Sequence, residues 1–264
     1  MDEKFTQRIA LSTFFFLSGL TFASWASRIP TIKTFFDLNE AELGSLLLAM
    51  PLSSLAGVPI SGWLVAKFNS RKPLLISFLL FNFTLIWIGF ATSITSLLIG
   101  ISMFSFFMRI LNISINTQSI VLQNKYQKPI VGSFHGLWSL GGLIGVLFST
   151  LMVKWQVNIG IHFTGVGILT SILIVIAYFF SLKNDKSSTG NKIIFGKPDP
   201  FLLTLGLIIL LAAICEGGMF DWSGVYFKEV IKEDVFTLGY LSFMACMALS
   251  RFFSDKFIVR FGVK

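Results

Sequence analysis

The sequence predicts an all-α polytopic membrane protein, and three observations support that fold class. Hydrophobic residues make up 54% of the 264-residue chain, charged residues only 13%, and the mean hydropathy is +0.79. These values lie far outside the range of soluble globular chains. The apolar residues also fall into eight stretches, each close to the roughly 20 residues that a helix needs to cross a bilayer.

Eight membrane-spanning helices are therefore expected, and we number them as spans one to eight in chain order. They fall near 9–29, 43–66, 73–92, 95–120, 132–153, 157–182, 200–226 and 237–257. Span one is kept as a mature helix because it is too long for the apolar core of a signal peptide. It also has no small-x-small cleavage site before span two.

The distribution of Lys and Arg predicts a cytoplasmic N-terminus. With that orientation, 14 of the 21 basic residues fall in cytoplasmic segments, five fall outside, and Arg109 and Arg251 lie within spans. Membrane proteins keep their positive loops in the cytoplasm. The net charge of +8 therefore reflects topology and does not indicate nucleic-acid binding. Cys215 and Cys246 both lie in apolar spans, so we expect neither a disulfide framework nor a metal site.

An internal repeat relates spans seven and eight to spans one and two. The stretch "ELGSLLLAM" at 42–50 resembles "TLGYLSFMA" at 237–245, and "AKFNSRK" at 66–72 resembles "VRFGVK" at 259–264. The long polar stretch after span six separates the two parts. We expect three regions: a six-helix N-terminal half over 1–182, a cytoplasmic linker over 183–199, and a partial C-terminal half over 200–264.

Five stretches carry a resemblance to a known family. They are "FASWASRIPTI" (22–32), "GWLVAKFNSRK" (62–72), "NISINTQSIVLQ" (112–123), "SFHGLWSLGGLIG" (133–145) and "EGGMFDWSGVYFKE" (216–229). Together they resemble a bacterial inner-membrane branch of the major facilitator superfamily (MFS), related to the fucose permeases. The resemblance implies an MFS-type helical bundle and secondary active transport of a small polar solute, with a sugar-like metabolite as one candidate. It also implies a monomer in the inner (cytoplasmic) membrane.

The same resemblance implies two halves of six helices, so the chain is expected to be truncated after span eight. A transport-inactive fragment is accordingly the alternative to a working transporter. An enzyme is disfavoured because the sequence has neither an H-E-x-x-H nor a G-x-S-x-G motif. A glycine-rich nucleotide loop is also absent, so we expect neither ATP hydrolysis nor a cofactor.

Glu216 in span seven is the candidate for proton coupling. It follows the apolar run "FLLTLGLIILLAAI" and lies near the middle of its span. A carboxylate there costs roughly 2.5 to 3.5 kcal/mol on insertion scales, and each preceding Leu or Ile offsets about 0.3 to 0.6. The group must therefore face protein or water, and Gly217 and Gly218 would let the helix bend beside a cavity. A structural hydrogen bond to a neighbouring helix is the alternative.

Span four carries a complementary polar stripe. Arg109, Asn112 and Asn116 fall at i, i+3 and i+7, which places them on one helical face. Because lipid contact along that face would be costly, we expect it to line the cavity, with Asn82 of span three as a neighbour. Arg109 could meet Glu216 in one state of transport. The alternative is an ion pair or amide clamp that only orients helices.

Aromatic and gating residues complete the predicted site. Trp25 and Trp138 are the two aromatic residues that we keep as platforms for a substrate. The gating candidates are Asp221, His135, Lys67 and Arg71. For Asp221 the alternative is simple solvation at the outer interface, and for His135 it is a hydrogen bond to a neighbouring loop.

Overall fold

The computed structural model describes residues 3–183 and 199–262, and this part of the chain is helical with short connections. The helices are α1 (Glu3–Ala26), α2 (Ile29–Phe35), α3 (Glu40–Leu47), α4 (Ala49–Phe68), α5 (Arg71–Gly89), α6 (Ile94–Tyr126), α7 (Val131–Lys154), α8 (Ile159–Phe180), α9 (Pro200–Glu229) and α10 (Leu238–Phe261). The predicted all-α polytopic architecture is confirmed.

The predicted spans correspond to these helices in order. Span one is α1 continued by α2, span two is α3 continued by α4, and spans three to eight are α5 to α10. Among the described residues, seven of the eight are long and apolar enough to cross a membrane. The eighth, α10, has the length, but its second half carries Arg251, Asp255, Lys256 and Arg260.

Local signals in the sequence explain where several helices begin and end. A capping box starts α3, where the Asn39 side chain accepts from the Glu42 N–H and Glu42 accepts from the Asn39 N–H. Pro200 follows the capping residue Asp199 at the start of α9. Span four is longer than its predicted range of 95–120, because α6 continues through polar residues to Tyr126 and ends at the left-handed Gln127.

The bundle has two ends, which we name from the path of the chain. The N-side face is the end at which α1 begins, and the far face is the end at which α1 stops. Because successive spans run in alternate directions, α7 begins and α10 ends at the N-side face. The short helices α2 and α3 lie at the far face, and so does the connection between α9 and α10. The predicted linker over 183–199 lies almost wholly outside the described residues, as does Lys264.

Close helix packing holds the N-terminal part together and joins it to α10. A Cβ at Gly141 or Gly145 of α7 would overlap carbonyl oxygens of α1 at Phe16 and Leu20. On another face of α7, a Cβ at Gly142 would overlap the Met244 side chain of α10. Small residues let two helix backbones approach closely. This packing matters in membranes, because the hydrophobic effect contributes little to helix association in lipid. The α7 helix therefore contacts both α1 and α10, and joins the two parts of the chain.

Candidate functional site

The predicted proton site, Glu216, is paired with an arginine from the neighbouring helix. Arg251 of α10 donates from Nη2 to Glu216 Oε1 at 3.0 Å, and from Nη1 to the Ser139 hydroxyl of α7 at 3.1 Å. The Arg251 guanidinium also lies 5.4 Å from the centre of the Trp138 ring. We call Trp138, Ser139, Glu216 and Arg251 the Arg251 cluster. It joins α7, α9 and α10 near the middle of the latter two helices.

An aromatic group continues from this cluster toward the far face, with Phe220 at its centre. The Phe220 ring lies 5.2 Å from Phe22, 6.1 Å from Trp138, 5.8 Å from Tyr240 and 5.5 Å from Phe243, measured between ring centres. These separations are those of edge-to-face aromatic pairs. Rings from both parts of the chain therefore pack together beside the Arg251 cluster.

The predicted stripe on span four forms a second, smaller polar group. Arg109 Nε donates to the Ser54 hydroxyl of α4 at 2.7 Å. The Asn116 side chain donates to the Asn112 carbonyl oxygen at 2.8 Å. Arg109, Asn112 and Ser54 line a cavity of about 190 Å³ between α4 and α6. In this structure Arg109 and Glu216 have different partners and do not meet.

Two other predicted site residues lie in the interior of the bundle. Asn82 is 1% exposed; its Nδ2 donates to the Ser171 hydroxyl at 2.9 Å, and its Oδ1 accepts from the Thr21 hydroxyl at 3.4 Å. It thus joins α1, α5 and α8. Trp25 is 1% exposed and packs against Phe104, and its indole N–H has no hydrogen-bond partner within the described part of the chain.

A carboxylate joins the two parts of the chain at the N-side face. Asp255 of α10 accepts hydrogen bonds from the backbone N–H groups of Gly132 and Ser133, at 3.0 and 2.8 Å, and from the Ser133 hydroxyl. These donors form the first turn of α7, where a negative charge is favourable. Asp255, Arg251 and the gating candidate His135 line a cavity of about 520 Å³.

Charged residues make a second junction at the far face, between α2 and α9. Lys33 Nζ lies 2.6 Å from Glu229 Oε1 and 3.2 Å from Glu40 Oε1. Lys228 of α9 donates to the Thr34 hydroxyl and to the Pro30 carbonyl oxygen. The charged residues of this junction were not among the predicted gating residues. In the sequence they resemble the charged residues that commonly flank membrane spans.

The remaining gating candidates form no hydrogen bond or ion pair between the two described parts of the chain. Lys67 is exposed and lies over the Trp63 ring, 4.8 Å from its centre. Arg71 donates to the Ser181 hydroxyl at 3.0 Å and to the Tyr178 carbonyl oxygen at 2.8 Å, which ties the start of α5 to the end of α8. Within the described residues, Asp221 of α9 makes no hydrogen bond or ion pair.

Comparison with known proteins agrees with this architecture. The family model described as "Major Facilitator Superfamily" matches residues 10–264. An uncharacterized transporter, y4wD of Sinorhizobium fredii, is 26% identical over 254 residues, which cover 94% of this chain and 67% of that protein. Membrane protein MosC of Rhizobium meliloti is 31% identical over 248 residues, covering 92% of this chain and 60% of MosC.

A solved structure shares the fold. The crystal structure of the nucleoside transporter NupG (D323A mutant) superposes with a TM-score of 0.61 at 15% sequence identity, covering 96% of this chain and 69% of that one. At that identity the likeness concerns the fold. The helical bundle, with charged groups where two sets of helices meet, and the family match together define a polytopic membrane transporter rather than an enzyme. The chain belongs to the major facilitator superfamily.

Proposed function

We propose that this protein carries a small polar solute across the bacterial inner membrane by alternating access, as a monomer, with proton movement on Glu216 as the coupling step. The observation that carries the proposal is the Glu216–Arg251 ion pair at 3.0 Å in the middle of α9 and α10. Ionisable groups at that depth are rare, and they mark substrate or proton pathways. The N-terminus lies in the cytoplasm in this proposal, so the far face is external.

The partners of Arg251 support a coupling role. One end of its guanidinium is held by Glu216 of the C-terminal part, and the other by Ser139 of the N-terminal part. Glu216 and Arg251 both belong to the C-terminal part, so movement of one part against the other would break the Arg251–Ser139 contact and leave the ion pair within one body. In this proposal the guanidinium released from Ser139 links the movement to the proton on Glu216, which is the alternation that symport requires.

Unpaired polar groups support a polar cargo. Trp25 Nε1, Ser223 Oγ and Tyr240 Oη are buried without hydrogen-bond partners in the described residues. They lie on α1, α9 and α10, each in the third of its helix nearest the far face. Buried donors and acceptors are normally satisfied, so such a set is typical of sites completed by water or a ligand. Sugar hydroxyls could donate to or accept from all three.

The two junctions support alternating access. Asp255 holds α7 to α10 at the N-side face, and Lys33 holds α2 to α9 at the far face. Opening toward either side requires one of these junctions to separate, while the aromatic group around Phe220 separates the two faces. The division at 183–199 remains part of this proposal, with residues 1–182 and 200–264 moving as the two bodies.

A ligand screen on the full-length gene product tests the cargo class. The unfolding temperature of the purified protein would be measured with monosaccharides, sugar acids, polyols and nucleosides, the last because NupG is a nucleoside transporter. We expect a sugar-like compound to raise the unfolding temperature of both the wild-type protein and Glu216→Gln. The Gln variant should still bind it because glutamine has the shape of the protonated acid. Stabilisation by nucleosides alone would contradict the sugar-like assignment. Apolar compounds as the only stabilisers would contradict a polar cargo.

A further inference from the structure

A cavity of about 560 Å³ opens at the far face, within the N-terminal part of the chain. It lies between α2, the α5–α6 connection and the α7–α8 connection, and it shares no lining residue with the Arg251 cluster. Most of its wall is apolar, including Ile32, Ile88 and Ile159. Its volume is in the range of roughly 300 to 1,000 Å³ that is usual for ligand sites.

One charged side chain, Arg28, lines this cavity. The residue is 3% exposed; its Nε donates to His162 Nδ1 at 3.2 Å, and its Nη2 donates to the Val157 carbonyl oxygen at 3.0 Å. Within the described residues no carboxylate lies within ion-pair distance of its guanidinium. A buried charge that meets only neutral acceptors is costly unless another group compensates it. The site is therefore electrostatically incomplete.

One further feature adds to the positive character of the cavity. The α8 helix begins at Ile159 in its wall, and a helix N-terminus attracts negative charge. His162, which accepts from Arg28 through Nδ1, is 2% exposed and lies outside the lining, so it brings no charge that balances the guanidinium. Among the residues that the structure describes, no Asp or Glu lines the cavity. The missing component is thus an anion.

We propose that this cavity binds the phosphate headgroup of a phospholipid from the leaflet at the far face. Arg28 contacts the phosphate, and the apolar wall receives the upper part of an acyl chain. Phe35 and Phe90 line the cavity and are 69% and 61% exposed, at the ends of spans where headgroups lie. A buried guanidinium at headgroup depth suits a phosphate, which accepts charge-assisted hydrogen bonds. The mixed lining favours a lipid over a free inorganic anion.

The test uses delipidated full-length protein in a neutral detergent. Binding of palmitoyl-oleoyl phosphatidylglycerol would be followed by native mass spectrometry and by the shift in unfolding temperature. Diacylglycerol with the same chains and inorganic phosphate are the two comparison probes. We expect one tightly held phosphatidylglycerol per protein, no comparable adduct with diacylglycerol, and a weaker effect of inorganic phosphate.

Three variants locate the site. Arg28→Gln removes the charge, and Thr31→Trp fills the cavity while it keeps Arg28; both should weaken phosphatidylglycerol binding about tenfold or more, as loss of a charge-assisted contact predicts. Lys154→Gln removes an exposed charge from the same face and should bind like wild type. If Arg28→Gln does not fold, Thr31→Trp decides the question. Wild-type binding in Thr31→Trp would overturn the site, and equal stabilisation by inorganic phosphate would overturn the lipid assignment.

Discussion

The guanidinium of Arg251 lies 3.0 Å from the carboxylate of Glu216, between two helices that are adjacent in the chain. The two side chains remain 24% and 41% exposed. Arg251 also contacts Trp138 and Ser139 of α7. This arrangement places a carboxylate and its counter-charge where the two parts of the transporter meet.

Arg109→Lys should fail to restore transport, although it keeps the positive charge. The planar guanidinium bonds Ser54 through Nε, and a lysine ammonium cannot reproduce that geometry together with a forked contact to a cargo. Initial uptake rates in whole cells, corrected for expression, would show the difference. Lys154→Arg, at an exposed position at the end of α7, serves as the control and should transport normally. Full activity in Arg109→Lys would mean that the residue supplies only charge or packing.

Asp255→Ala should shift the protein toward a state opened at the N-side face. The substitution removes three hydrogen bonds to the start of α7. Hydrogen bonds to charged groups contribute about 1.5 to 3 kcal/mol each, so even one lost bond would change a two-state population about tenfold. Spin labels at Lys128 and Val259 would report the separation of α7 and α10 by pulsed EPR.

The neighbouring exposed charge supplies the control for this experiment. Lys256→Ala changes charge on the same turn of α10 without touching α7, and should leave the distance distribution as in wild type. An unchanged distance distribution in Asp255→Ala would show that Asp255 does not hold α7 to α10.

Gly141→Ala should destabilise the bundle because a Cβ there overlaps the Phe16 carbonyl oxygen of α1. Backbone cannot yield as a flexible side chain does, so we expect a loss of about 1 to 3 kcal/mol, the usual cost of overpacking. Gly165→Ala is the matched control, since a Cβ at Gly165 has no other atom within 4 Å. Unfolding midpoints in detergent would compare the two, and equal midpoints would contradict the close approach of α1 and α7.

Cysteine labelling from outside the cell should modify a probe at Lys154 and leave a probe at Ser188 unmodified. The prediction follows from the excess of Lys and Arg in the segments that share a side with the N-terminus. Cys215 and Cys246 would first be replaced by alanine, because both native thiols are exposed on the protein surface. Labelling at Ser188 in intact cells would reverse the proposed orientation.

The helices could be predicted from the sequence because each span is long, apolar and bounded by charged or turn-forming residues. Hydropathy identifies a span without knowledge of its neighbours, and the MFS resemblance supplied the arrangement. The α6 helix continues past the predicted apolar span to Tyr126, because the segment before Tyr126 is polar but still helical. Hydropathy identifies only the apolar segment that crosses the membrane, whereas the helix continues beyond that segment.

Partners within the site were harder to predict. Arg251 was recognised as an intramembrane residue, but its pairing with Glu216 depends on how α9 and α10 pack, which no local pattern encodes. Asp255 was missed because its partners are backbone N–H groups of α7, which have no signature in side-chain sequence. The sequence offered one indication of its role: Asp255 is an acidic residue among the basic residues Arg251, Lys256 and Arg260 near the end of α10.

Transport by Glu216→Gln in proteoliposomes, prepared with the full-length gene product, tests the coupling proposal most directly. Two rates would be measured on the same vesicles: exchange of labelled cargo at equal concentrations, and accumulation driven by a pH gradient. Glutamine resembles the protonated acid and cannot release a proton, so we expect exchange close to wild type and no accumulation above the equilibrium level. Accumulation against a gradient in Glu216→Gln, with the wild-type dependence on external pH, would contradict the assignment of Glu216 as the coupling carboxylate.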